Sequence, residues 1–276
     1  MTATATTTAP PSHDRRSWHG AGVGVQVLVL TARSLRPLMK DPATIVFNLV
    51  QPLFMLVLFS QVFGKAMTGT VAAQGGNYIN YLMPAMLVTT GIGAALQAGL
   101  TLITDLRSGM LSRLRAMPIR QGSVLFGRAT AYLLRTFVQL IVLLVAGTLL
   151  FGFSPAGGLF GTLGAVLLAL LVSWTLSWLF LAIAAWVRRL EVMQGLGFFA
   201  MYPLMFASSA FVPAGSLSAW LRVIAVVNPL TYAVNASRGL ALALPAGGAV
   251  LAALATNALF CSAAIAIAIK GFRRPL

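Results

Sequence analysis

The stretch LFGTLGAVLLALLVSWTLSWLFLAIAAWV, Leu159–Val187, decides the fold. It contains no charged residue and exceeds the ~20 apolar residues that an α-helix needs to cross ~30 Å of hydrocarbon. A water-facing helix would carry a polar stripe; a helix apolar all round has lipid or other apolar helices as its surroundings. Its length predicts a tilted or irregular crossing. The whole chain agrees: of 276 residues, 59% are hydrophobic and 8% charged, against about 25% charged in a soluble domain. Five further runs are long enough to cross, at about Thr44–Phe63, Ile79–Ile103, Leu125–Leu150, Val192–Val212 and Gly247–Ile269. The expected fold is all-α, a polytopic integral membrane protein with six transmembrane helices in a single domain over 22–276. Pro52 and Pro84 fall in or near spans, where neighbouring helices can satisfy the freed backbone.

The formal net charge of +15 is distributed in the manner of a membrane topology signal rather than of a nucleic-acid surface. Arg15, Arg16, Arg33, Arg36 and Lys40 precede the first span. Arg107, Arg113, Arg115, Arg120, Arg128 and Arg135 occupy the second-to-third connection and its flank, Arg188 and Arg189 the fourth-to-fifth turn, and Lys270, Arg273 and Arg274 the C-terminus. Only Lys65, Arg222 and Arg238 fall on the opposite side. Both termini are therefore expected in the cytoplasm of a bacterial cell, with the chain in its plasma membrane. Residues 1–21, rich in Thr, Ala and Pro, read as a disordered tail. The apolar stretch after them is broken by Arg33 and Arg36, unlike a signal peptide. Over 25–41, Arg33, Arg36 and Lys40 share one side of a helix and Leu28, Ala32, Leu35 and Met39 the other, a pattern suited to the membrane interface. Pro213–Pro245 is expected to form short re-entrant helices in the outer leaflet. Asn228-Pro229 interrupts it, Arg222 and Arg238 flank it closely, and a central charge costs ~2.5–3.5 kcal/mol on insertion scales.

One charged island, TDLRSGMLSRLRAMPIRQGSV at Thr104–Val124, lies between the second and third spans. Leu106, Met110, Leu114 and Met117 recur at the spacing of one helix face. With Asp105 in the first turn and Arg113 and Arg115 in the last, both ends suit the helix dipole, and Pro118 stops the helix. An amphipathic helix over 105–117 at the cytoplasmic surface is the expectation.

Three features, in order along the chain, resemble the ABC-2 type transporter permeases, most of all the daunorubicin-resistance type of drug-export permease. The pre-span helix ends in Lys40-Asp41-Pro42. The island carries the family order of acid, Arg, Gly, hydrophobe, Arg and Pro as Asp105, Arg107, Gly109, Leu111, Arg113 and Pro118, followed by Gly127-Arg128. Many members have Glu where this chain has Asp105. Before the last span come Trp220-Leu221, Asn228-Pro229-Leu230-Thr231-Tyr232 and Arg238. The resemblance implies a homodimer working with a separate ATP-binding-cassette ATPase subunit, which supplies ATP and Mg; no cofactor belongs to this chain. It also implies that the island is a coupling helix seated in a groove on the ATPase. Arg107, Arg113 and Arg115 would contact acidic groups there, Leu106, Met110, Leu111 and Leu114 would pack, and Asp105 would position the helix start or pair with a nearby arginine. Arg188, Arg189 and Glu191 form a secondary cytoplasmic contact, and Trp220, Asn228, Pro229, Tyr232 and Arg238 an extracellular structural motif. The simpler reading of the island is a topology signal resting on anionic lipid. The in-span glutamines Gln51, Gln61, Gln97 and Gln139 either line a pathway or join helices by hydrogen bonds, and Gly157 and Gly161 form a GxxxG.

Other classes lack their chemistry. No GxxxxGK[ST] phosphate loop is present, since Gly64-Lys65-Ala66 has neither the upstream Gly nor the hydroxyl. The acids Asp14, Asp41, Asp105 and Glu191 all fall on the cytoplasmic side, against proton antiport. His13 and His19 sit in the tail, and Cys261 is single, so no protease site, disulfide or cysteine metal site is indicated. The expected function is the permease subunit of an exporter of an amphipathic drug-like or lipid-like molecule. The alternatives are export of a lipid-linked polysaccharide or envelope precursor, and a non-transporting membrane assembly subunit.

Overall fold

A computed structural model describes residues 22–40, 42–64, 77–108, 121–211, 218–272 and 274. Helices joined by turns make up these residues, and no strand occurs among them. In chain order they are α1 (Val23–Lys40), α2 (Pro42–Phe63), α3 (Tyr78–Arg107), α4 (Gln121–Phe151), α5 (Gly158–Val187), α6 (Leu190–Phe206), α7 (Ala219–Val227), α8 (Pro229–Ala241) and α9 (Gly247–Phe272). The all-α expectation holds. Four of them, α3, α5, α9 and α4 from Gly122, are long and apolar enough to cross a membrane; Leu49–Phe63 of α2 and Leu190–Phe206 are shorter apolar helices.

α3 and α5 form the core. Of their most apolar windows, 72% and 67% are buried within the protein, against 17% for α9, whose other faces are left for a different surrounding. Apolar helices gain little by leaving lipid for one another, so close approach through small residues has to hold them. Gly91 of α3 lies directly against the Ser173 side chain of α5, and a Cβ at Gly99 would stand 2.9 Å from the Phe180 carbonyl oxygen. The GxxxG is used in the same way: any side chain at Gly157 or Gly161 would meet the Leu240 carbonyl of α8. Trp178 is fully buried and meets Phe126 edge-on at 4.6 Å and Trp174 at 5.9 Å.

Two boundaries differ notably from the sequence reading. Asp105 was expected to open a separate helix but lies in the last turns of α3, which runs on through Arg107. The span expected over Val192–Val212 ends as a helix at Phe206. Side chains from elsewhere take the carbonyls of Ser209, Ala210 and Phe211, so the backbone finds partners without further helix. α1 packs on α4 through Leu30 and Thr31, both buried, while Leu28 is 69% exposed. Gly127 of α4 admits the α1 backbone at Leu30 and Thr31, and the Ser123 hydroxyl donates to Gln26 Oε1 at 3.1 Å.

Gly91→Ala is expected to lower the melting temperature of the detergent-purified protein, at a cost of ~1–3 kcal/mol for overpacking. Ser173→Gly in the same chain should recover most of that loss. Gly195→Ala, whose Cβ would meet nothing within 4 Å, should leave the melt unchanged.

Candidate functional site

The island is fastened at its base. Asp105 of α3 forms an ion pair with the Nη2 of Arg128 on α4. An acid near a helix C-terminus opposes the dipole, and the arginine offsets this. Arg128 is 7% exposed and Asp105 half-buried, and the pair joins the two helices from which the island emerges. Ser108 closes α3, its N–H donating to Thr104 O at 3.0 Å and its hydroxyl to Asp105 O at 3.1 Å. Leu106 is buried beside the pair's helix face. Arg107 reaches Glu191 at the start of α6 at 3.7 Å, with both side chains mostly exposed. Gly109, Met110, Leu111, Arg113, Leu114, Arg115 and Pro118 lie outside the described residues.

The α5–α6 turn stands at the same end. Arg188 adopts a left-handed φ of 54° and ends α5. Its Nε donates to Ala185 O at 3.1 Å and its Nη2 to Gly271 O at 3.2 Å and Arg274 O at 3.1 Å. The Arg274 guanidinium covers the Trp186 ring at 3.8 Å, and Trp186 Nε1 donates to Ile267 O at 3.2 Å. Arg188 thus ties the end of α9 to this turn, whereas Arg189 is exposed.

At the opposite end Arg238 of α8 is buried at 5% exposure. Its Nε donates to Tyr81 O at 3.1 Å and its Nη2 to Ser209 O at 3.0 Å and Ala210 O at 3.3 Å. Its guanidinium carbon sits 3.5 Å from the Tyr81 ring centre, where the ring face attracts cations. Tyr78 OH donates to Phe211 O at 3.0 Å. Asn228 caps α8 by accepting from the Leu230 N–H at 3.0 Å, and its amide donates to Leu204 O at 2.8 Å and Ala207 O at 3.0 Å. Pro229 occupies the first turn of α8, where no N–H is needed. Tyr232 OH donates to Val226 O at 2.8 Å, and Trp220 is 66% exposed on α7. Arg238 and Asn228 thus form a hub between α3, the end of α6 and α8, of which Trp220 is not a part.

Between the two ends a cleft of about 70 Å³ opens among α2, α3, α4 and α6. Gln51, Gln97, Gln139 and Arg135 supply its polar lining, with Met55, Met86, Met201, Met205 and Phe211 among its apolar neighbours. Gln61 is not part of it. Arg135, counted from sequence with the basic flank, lies midway along α4. The signal was present: Arg135 falls inside an otherwise apolar run, with Gln139 one turn on, on the same face.

Residues 25–242 match the ABC-2 type transporter family. The chain belongs to that family. This ABC-2 chain is 29% identical over 208 residues to the daunorubicin resistance ABC transporter permease protein DrrB1 of Streptomyces coeruleorubidus, covering 75% of this chain and 72% of the relative. It is 31% identical to the putative transport permease ycf38 of Porphyra purpurea, over 77% of this chain and 72% of that one. It is 26% identical to the probable doxorubicin resistance ABC transporter permease protein DrrC of Mycobacterium tuberculosis, over 90% and 88%. The hub, the Asp105–Arg128 pair and the cleft all fall within the matched segment.

Asp105→Asn strands a buried arginine, and a melt of the purified ABC-2 chain should show a loss of about 3 kcal/mol. Glu191→Gln removes only an exposed pair, with an expected change below ~1 kcal/mol.

Proposed function

We propose that this chain is the permease subunit of an ABC exporter and moves an amphipathic drug-like or lipid-like molecule out of the cell. It crosses the bacterial plasma membrane six times with both termini in the cytoplasm. It works as a homodimer with a separate ATP-binding-cassette subunit, on which ATP and Mg are bound. The names of the relatives that span most of the chain, permeases of daunorubicin and doxorubicin resistance, support export as the direction of transport. The arrangement of the bundle supports six crossings: the basic ends of α3, α5 and α9 meet at the Asp105–Arg188 end, while Tyr78, Phe211 and Arg238 gather at the other. α2 and α6 then make the two crossings beyond the four longest helices, and α7 and α8 remain in the outer leaflet.

The observation that carries the coupling role is the Asp105–Arg128 pair, buried on the arginine's side, at the island's base. A segment hinged on a fixed ion pair can pass a push from an ATPase into α3 and α4 as a unit. Arg113 and Arg115 meet acidic groups of the ATPase by charge-assisted hydrogen bonds, Arg107, Gly109, Met110, Leu111, Leu114 and Pro118 complete the coupling surface, and Arg189 and Glu191 give a secondary contact. In this reading the chain itself performs no catalysis.

Arg113→Glu with Arg115→Glu should cut permease-stimulated ATP hydrolysis by the co-expressed complex about tenfold or more, as expected for the loss of two charge-assisted contacts, while membrane insertion stays normal. Undiminished stimulation would reject the assignment. A C-terminal reporter should be active on the cytoplasmic face, and activity outside would contradict six crossings.

A further inference from the structure

Among the described residues, Arg135 is a buried arginine with no carboxylate paired to it. It stands ~21 Å along α4 from Gln121 and ~24 Å short of Phe151, at 1.5 Å per residue, and so lies near the middle of the crossing. It is 8% exposed, and its Nε and Nη2 have no hydrogen-bond partner among the described residues. A guanidinium cannot shed its proton, and a charge kept at this depth is costly enough to mark a functional position. The chain has four acids in all. Asp105 and Glu191 are engaged with Arg128 and Arg107 at the cytoplasmic end, and Asp14 and Asp41 both precede α2. Among the described residues no carboxylate is left for Arg135, and a charge brought by another molecule would balance it.

The cleft indicates what kind. Gln51, Gln97 and Gln139 bring amide groups to the space that Arg135 enters. At about 70 Å³ it holds a few water-sized groups and is far smaller than the ~300–1,000 Å³ of a site enclosing a whole drug-sized ligand. Beside it, α2 presents Val50, Phe54, Val57 and Leu58, all exposed on the protein surface. We propose that this cleft receives the acidic headgroup, a phosphate or carboxylate, of the exported amphiphile, with Arg135 as its charge partner and the glutamines as hydrogen-bond donors, while the apolar tail stays outside along α2. The proposal deepens the exporter reading and rests on it for the word exported. It places cationic amphiphiles among the poor ligands, because they meet a buried positive charge.

The test uses the full-length permease in nanodiscs of uncharged-net phosphatidylcholine, without ATP or ATPase. Binding of a fluorescent dodecyl phosphate is compared with that of the same probe carrying trimethylammonium or a hydroxyl. The phosphate probe should bind at least ~10-fold more tightly than either, the ratio expected from one charge-assisted hydrogen bond. Arg135→Gln should remove that preference, and Gln139→Leu should weaken it, with the hydroxyl probe unaffected. Inorganic phosphate should compete weakly; competition equal to that of dodecyl phosphate would show a free-anion site and overturn the amphiphile. Equal binding of all three probes to the unmodified protein would overturn the proposal, and this holds even where Arg135→Gln does not fold. An Arg135→Gln protein that keeps the preference but changes its oligomeric state would assign the residue to a subunit contact instead and overturn the proposal. Headgroup preference that survives alongside uncoupled island variants would remove the exporter reading alone. ATP-driven transport without headgroup preference would remove this inference alone.

Discussion

Within hydrocarbon no water is at hand to satisfy a stray polar group, and this constraint organises the whole bundle. Each interior arginine is a case of it. Arg238 spreads its charge over the Tyr81 ring and three backbone carbonyls, which holds the end of α6 against α3 and α8. Arg188 does the same with carbonyls of α5 and the α9 end. Arg128 has Asp105. Arginines that would be liabilities in lipid have become the joints between helices, and the apolar surfaces, which gain little from meeting one another, are left to pack through glycines. Arg135 is the exception, with no partner for its Nε and Nη2 among the described residues.

α3 touches all of these features but the Arg188 joint. Tyr81 belongs to the hub, Met86 and Gln97 line the cleft, and Asp105 closes the base of the island. Its 30 residues make a rod of ~45 Å, with most of its apolar window buried against the rest of the bundle. In the proposed exporter a push delivered at Asp105 would displace the cleft and the hub with it, since a helix packed this closely along α5 cannot bend away from a load without opening the Gly91 and Gly99 contacts. The Asp105–Arg128 pair would ensure that α3 and α4, which together flank the cleft, move jointly.

Much of this was legible in the sequence, for physical reasons. Uninterrupted apolar runs fix helices wherever they occur, and Asn228-Pro229 marks a helix boundary by its own chemistry, capping side chain followed by a residue without an N–H. The family pattern also drew attention to Asp105 and Arg238, which the structure places in an ion pair and in a buried hydrogen-bonded hub. What could not be read was pairing over distance. A helix apolar all round carries no periodic signal of which face is buried, so the α3–α5 contact and the use of Gly157 and Gly161 had to come from the fold. For Asp105 the sequence offered a helix start or a nearby arginine, and a charge pattern cannot show that the partner is Arg128 on the next helix. Arg135 looked like part of a cytoplasmic flank because net charge counts position along the chain and not depth in the bundle. The early end of α6 depends on carbonyls claimed by Tyr78, Tyr81 and Arg238, which are distant in sequence.

The central claim is that the island flanked by Asp105 and Arg128 engages an ATPase rather than a lipid surface. Photo-cross-linking tests it most directly, with a photoreactive residue replacing Leu114 in membranes that contain the co-expressed ATP-binding-cassette subunit. The account predicts a cross-linked product of permease and ATPase that grows weaker when the Arg113 and Arg115 charges are reversed. Adducts with lipid alone, in the presence of an abundant ATPase subunit, would contradict it.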